Sequence, residues 1–191
     1  MLTIHEKSQG IIWAKASLNN YLLDQPLDIS SDIIIEHFGS SSDLLKNLGS
    51  FVTLKTKDND LLRGCIGSIV SDDPLYINIQ KNAINAGTND PRFPSVTLDD
   101  FNNLCFEISV MGELDKCLEP EKIVVGKHGL VIKNGPSQGL LLPQVPIEWN
   151  WSRQEFIEHT CEKAGLSKDS WKSSATEIYW FESEVFGEED F

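Results

Sequence analysis

No stretch of the 191-residue sequence approaches the run of roughly 18 apolar residues that a membrane-spanning helix needs. The opening, MLTIHEKSQGIIWAK, carries charge within its first ten residues and lacks an apolar signal core. Positive charge is scarce: 16 Lys and Arg stand against 29 Asp and Glu, a formal net charge of −13. Such a surface repels a phosphate backbone or an anionic membrane, so neither nucleic acid nor membrane is expected as a partner. A local basic pocket for one small anion remains compatible with it. The four cysteines, Cys65, Cys105, Cys117 and Cys161, form no C-x-x-C pair, so no metal site is expected. There is no phosphate loop, serine-nucleophile elbow or dinucleotide fingerprint, and no cofactor is implied. The expectation is a cytoplasmic protein with reduced thiols.

What is present is ordinary globular composition, with 40% hydrophobic and 24% charged residues. Residues 8–23 predict a helix with Ile11, Ile12, Ala16, Leu18, Leu22 and Leu23 on its apolar face. A linker over 24–31 follows. Residues 32–47 are ambiguous between helix and strand: DIIIEHF can be a strand, and SSSDLLKNL reads as a short helix with a serine cap. FVTLKT and LLRGCIGS predict a hairpin, and Asp73-Pro74 predicts a cap and first turn for a helix with Leu75, Ile79, Ala83 and Ala86 inward. TNDPRFP must be a loop. NLCFEISVMGEL predicts a strand with Phe106, Ile108 and Val110 on one face and Cys105, Glu107 and Ser109 on the other. GLVIK and GLLLPQV predict a second hairpin. Ser152 and Glu155 predict a capping box for a helix over 153–164, Gly165 a left-handed end, EIYWFESEVF a last strand, and GEEDF a frayed tail. Shifting the chain by 79 residues lays Asp73 on Ser152, Leu62 on Leu141 and Cys65 on Gln144, a faint repeat of hairpin then helix. The expected fold class is α+β, a two-lobed mixed domain with duplicated hairpin-plus-helix units around a cleft.

Several residues invite a chemical reading, each beside a plainer one. In LRGCIG, alternation puts Arg63 and Cys65 on one strand face, where a guanidinium favours a thiolate. Gly64 and Gly67 clear space for another backbone or a ligand. The plainer reading makes Cys65 a small buried residue. Arg63 and Arg92 together can fork onto a carboxylate or phosphate; alternatively the segment is a local turn in which Asp90 caps the helix end or pairs with Arg92. Glu107 is a proton carrier if its face lines a cleft, and routine alternation if that face is solvent. His128 stands in a loop between glycines. Gln144, between prolines in LPQVP, can present its amide. His159 and Cys161 lie on opposite sides of one helix, with Cys161 in the core and His159 exposed. Trp149 and Trp151 read as packing residues.

The blocks FVTLK, LRGCIGS, NA…DPRFP, FEISV, GKHGL, GLLLPQV and CEKAGL occur in an order that resembles the AMMECR domain family, over about residues 8–187. The resemblance implies one AMMECR-type domain over residues 1–191, its lobes meeting around residues 95–125. It implies site positions at Arg63, Gly64, Cys65, Gly67, Asp90, Arg92, Phe93, Glu107, His128 and Gln144. It also implies an association with a Memo-type dioxygenase-like protein or a radical-SAM-like protein, and it supplies no reaction, so enzyme activity is left open. Gly87-Thr88 departs from the larger residues usual there. Two functions are in view. One is a small-molecule-binding or catalytic cleft lined by LRGCIG, with Arg63 and Arg92 holding an unknown small molecule or anion, Cys65 as thiolate and Glu107 or His128 carrying protons. The other is a non-catalytic domain that docks such a partner protein.

Overall fold

A computed structural model of the chain describes residues 2–25, 27 and 31–191, with the backbone alone for 31–33. The linker expected over 24–31 falls partly outside the described residues. The fold is mixed, with helices packed on antiparallel strands, and the chain divides into two units: Met1–Met111 with Glu184–Phe191, and Gly112–Ser183.

The first unit holds α1 (Ile4–Leu22), α2 (Ser31–Phe38), β1 (Ser50–Thr56), β2 (Leu62–Ser68), α3 (Leu75–Thr88), α4 (Leu98–Phe101) and β3 (Leu104–Met111). The ambiguous DIIIEHF segment is helical. β1 lies between β2 and β3, antiparallel to both. Val52, Leu54, Phe106 and Ile108 face a core shared with Ile11, Leu18, Leu75 and Ile79 of α1 and α3. The apolar face of α1 is rotated from the predicted one: Trp13 and Ala14 are buried, whereas Ile12 and Leu23 are exposed. Ile12 would serve a helix buried all round, and this one packs on one side only. α3 starts without the predicted Asp73 cap. Pro74 is its N-cap residue, no side chain caps it, and Asp73 pairs with Lys81 instead.

The second unit holds β4 (Asp115–Lys116), β5 (His128–Asn134), β6 (Ser137–Leu141), α5 (Val145–Glu148), α6 (Arg153–Lys163) and β7 (Glu177–Gly187), whose last residues belong to the first unit. β5 pairs with β6 and β7, and β4 with β7. α6 begins with the predicted Ser152–Glu155 capping box and is followed by Gly165 at φ +73°. Its residues Phe156, Ile157 and Cys161 pack on Leu130, Ile132 and Ile178.

Each unit is a hairpin followed by a helix laid across it, and the closest approach is made at a glycine. A Cβ at Gly64 would stand 2.0 Å from the Ala86 carbonyl oxygen at the end of α3; one at Gly139 would stand 2.3 Å from the Ala164 nitrogen at the end of α6. Gly64 pairs with Leu54, and Gly139 with Ile132. The second hairpin is therefore tighter, and Cys65 corresponds to Leu140, not to Gln144 as a uniform shift suggests. The departure at Gly87 has a packing reason: the side chain of Leu18 occupies the space a Cβ would need, at 2.7 Å. The tail is not frayed. Glu188 accepts from the Phe106 N–H at 3.0 Å and pairs with Lys15 at 2.7 Å.

Candidate functional site

β2 is paired on one side by β1, and its other edge presents unpaired backbone groups at alternate residues. Cys65 is one of these. Its N–H donates to Asp90 Oδ2 at 2.9 Å, and its carbonyl accepts from Arg92 Nη2 at 3.3 Å. The Asp-Pro-Arg loop thus stands where a neighbouring strand would be. Asp90 is itself fixed: its side chain is 1% exposed. It accepts the Arg92 Nε and Nη2 donors at 2.9 and 2.7 Å and the Arg92 backbone N–H at 3.1 Å. The Arg92 fork, with the Cys65 and Arg92 backbone N–H groups, holds the Asp90 carboxyl well below the usual carboxylate range, against the opposing cost of burial.

Arg63 points elsewhere. Its Nη1 donates to the Pro94 carbonyl at 2.7 Å, and its Nη2 lies 3.7 Å from Asp100, the residue that closes the capping box of α4. The cation bonded to the Cys65 peptide is therefore Arg92, while both guanidinium groups make internal contacts. Gly64 receives the backbone of α3, and Gly67 the ring of Phe51, 2.3 Å from where its Cβ would be.

On the sheet face turned away from that core, Thr53 stands opposite Cys65 on one side and Glu107 on the other. The Thr53 hydroxyl donates to Cys65 Sγ at 3.3 Å. Glu107 Oε2 takes the Lys55 ammonium at 3.3 Å. The result is a half-buried row, Cys65–Thr53–Glu107, that continues into Lys55. Glu107 and Lys55, with Cys105, Lys57 and the C-terminal turn at Glu188–Asp190, line a cavity of about 630 Å³. Cys65 stands one strand away from its walls. Burial, with Glu188 and Glu189 adding to it, pushes the Cys105 thiol up. Cys117 and Cys161 are fully inside, and burial raises both thiols further from ionisation. All four cysteines are free.

His128 and Gln144 belong to the second unit. The Val124 N–H donates to His128 Nδ1 at 3.2 Å, a contact that the neutral ring with its proton on Nε2 can accept. Burial, assisted by Lys127, lowers its pKa. The ring lies 4.7 Å from that of Trp180, and both line a pocket of about 390 Å³ with Glu113, Asp115 and Glu182. Gln144 is the residue before α5, and its carbonyl accepts the N–H groups of Ile147 and Glu148.

Of the residues singled out in the sequence, Cys65, Asp90 and Arg92 are thus bonded together, with Glu107 one residue pair away across Thr53. The sequence reading missed Thr53 and Lys55, although the alternation in FVTLKT places both on the face of Cys65. It also missed a buried polar network beneath β2. Asn82 donates to the Ser50 carbonyl at 2.9 Å and to Asn78 Oδ1 at 2.9 Å, and the Ser50 hydroxyl donates to Asn78 Oδ1 at 2.7 Å. The i, i+4 spacing of Asn78 and Asn82 on the inward face of α3 was its only sequence signal. Among the described residues no three His, Cys, Asp or Glu side chains are placed to hold a metal ion, and no helix is long and apolar enough to cross a membrane.

The chain is similar to known proteins over nearly its whole length. Protein MJ0810 of Methanocaldococcus jannaschii is 39% identical over a 194-residue alignment covering 98% of this chain and 92% of the relative. Protein Mbar_A1807 of Methanosarcina barkeri is 39% identical, covering 100% and 94%. The crystal structure of the uncharacterized protein PH0010 from Pyrococcus horikoshii superposes with a TM-score of 0.79 at 36% identity, over 94% of this chain and 90% of that one. The AMMECR1 family model matches residues 11–186, and the chain belongs to that family.

Proposed function

We propose that the first unit carries a binding site for a small polar molecule on the sheet face that runs from Cys65 across Thr53 to Glu107 and Lys55, with Cys65 as its reactive group. One observation carries the reading. A buried carboxylate and its arginine are committed to fixing both backbone polar groups of a single residue, whose thiol is left half-exposed beside a hydroxyl. A buried ion pair is a weak source of stability but a strong means of fixing geometry, so the arrangement pre-organises that thiol. The Lys55–Glu107 pair offers both signs of charge to a ligand in the adjoining cavity. Arg63 and Arg92 act as positioning residues in this reading, not as anion holders. A second reading, a domain that docks a Memo-type or radical-SAM-like protein over β2, draws support from the exposure of Leu61 and Leu62 at the start of that strand.

The test is native-state alkylation mapped by mass spectrometry, together with a thermal-shift screen of small polar metabolites. Cys65 should react well before Cys161, and a molecule that raises the melting temperature should slow alkylation at Cys65. Equal rates at the two cysteines, or a stabilising ligand that leaves Cys65 unprotected and is unaffected by Lys55→Ala, would sink the proposal.

A further inference from the structure

The site in the first unit leaves unused the segment Glu-Trp-Asn-Trp-Ser at 148–152, and its geometry calls for a reason. Trp149 is 67% exposed. Its ring is stacked on that of Trp151, with centroids 6.2 Å apart and planes 20° from parallel. Trp151 is stacked in turn on His159 at 4.0 Å and 21°. His159 Nδ1 lies 2.7 Å from Glu162. Asn150 makes the column possible by adopting φ +53°, a left-handed conformation that asparagine tolerates better than other side chains. Residues two apart along the chain are thereby brought ring to ring.

Packing accounts for Trp151, which lies against the core of this unit, but not for Trp149. Trp149 makes an offset contact with Trp151 and stays two-thirds exposed, so a large apolar side chain stands mostly in solvent where a smaller one could make the same contact. Exposed apolar surface continues from it. Ile147 is 59% exposed, and its Cδ1 would be 3.0 Å from a Cβ at Gly126, so α5 leans on the turn that carries the exposed Val124. Exposed tryptophan beside aliphatic residues marks contact surfaces, because a rigid aromatic ring gives much area at little entropic cost.

Charge selects the occupant. The chain carries −13 overall, and Glu148 adjoins Trp149 as another exposed group. The face of an indole attracts cations, and a planar guanidinium both lies flat on it and forks onto a neighbouring carboxylate. A nucleobase also stacks on tryptophan, but the phosphates attached to it are repelled here. A second copy of the chain brings the same −13. Of its three arginines, Arg92 is held by Asp90 and Arg63 by Pro94 and Asp100, which leaves the exposed Arg153 as the one a second copy could offer, against the repulsion of two chains of −13. We propose that Trp149, with Ile147 and Glu148, is a docking surface for a protein partner that presents an arginine, the guanidinium lying on the outer face of Trp149 and reaching the Glu148 carboxylate.

The probe is a blocked Gly-Arg repeat peptide, compared with the same peptide carrying lysine and with a single-stranded oligothymidylate. Binding is followed by indole fluorescence and by calorimetry. The arginine peptide should bind more tightly than the lysine peptide. Trp149→Ala should weaken it about threefold or more, the loss expected for an exposed cation–π contact. Trp149→Phe should fall between, and Glu148→Gln should weaken it as well. Melting temperatures should be unchanged, since Trp149 lies outside the core. The proposal is overturned if no peptide binds, if Trp149→Ala binds as wild type does, or if lysine and arginine peptides bind alike. Preferential binding of the oligonucleotide, or a dimer in sedimentation that Trp149→Ala abolishes, would equally overturn it by naming a different occupant.

Discussion

Asp90→Asn tests the central structural claim, that a side-chain ion pair substitutes for a missing strand beside Cys65. The carboxylate accepts four hydrogen bonds, from the Cys65 N–H, the Arg92 N–H and two guanidinium donors. Asparagine keeps one acceptor oxygen and turns an NH2 group toward donors. The Arg92 side chain is 54% exposed, so its guanidinium can return to water, and little of the loss comes from the charge pair itself. The backbone donors have less freedom, and hydrogen bonds to a charged group contribute about 1.5–3 kcal/mol each. A destabilisation of about 2–4 kcal/mol follows, with partial compensation by the remaining amide oxygen. For a chain of this size that is a fall in melting temperature of about 4–16 °C. The effect must also depend on pH. The folded-state pKa of Asp90 lies below its unfolded value, so its contribution is complete above the unfolded pKa near 4 and is lost as pH falls through the folded value. Urea melts of wild type and Asp90→Asn should therefore differ most near pH 7 and converge in acid. Hydrogen exchange gives a local readout: the Cys65 amide should exchange faster in the variant. If Asp90→Asn melts like wild type at pH 7, or if the difference persists undiminished in strong acid, the reasoning about this edge is wrong.

Gly64→Ala should cost about 3 kcal/mol or more, because the new Cβ meets a helix backbone carbonyl that cannot rotate away, and Gly139→Ala should do the same in the second unit; denaturant melts check both. Cys161→Ser should lower stability by about 1–3 kcal/mol through a hydroxyl buried in an apolar site, whereas Cys65→Ser, which keeps the Thr53 contact on a half-exposed face, should cost less. His128, whose pKa is lowered by burial and by Lys127, should weaken the fold as pH drops below its unfolded value near 6.5, since the unfolded chain then binds the proton more readily. His128→Gln should flatten the stability profile between pH 7.5 and 5. Unfolded protein alkylated before any reductant should yield four free thiols by mass.

The sequence was sufficient wherever local chemistry decides the outcome. Period-two alternation placed Phe106, Ile108 and Val110 opposite Cys105, Glu107 and Ser109. The Ser152–Glu155 spacing placed the start of α6, and the blocks around LRGCIG and DPRFP placed the chain in its family. Turn and strand signals fixed both hairpins to within a few residues. These are properties of segments of ten residues or fewer, where propensity, capping and alternation act without reference to the rest of the chain.

Tertiary structure alone decided which residues those segments meet. That Asp90 and Arg92 close over the edge of β2, and that Arg63 turns to Pro94 and Asp100 instead of to Cys65, depends on where a loop 25 residues away returns. The functions of Gly64 and Gly139 became legible only when a helix backbone was found against each, because a glycine's spacing cannot tell a turn from a close approach. The inward Asn78–Asn82 pair and the stack of Trp149 on Trp151 are likewise contacts, not patterns. Alternation in a strand says which side chains share a face, but burial, partners and ligand access are set by what packs against that face, and this information is carried by residues distant in the chain.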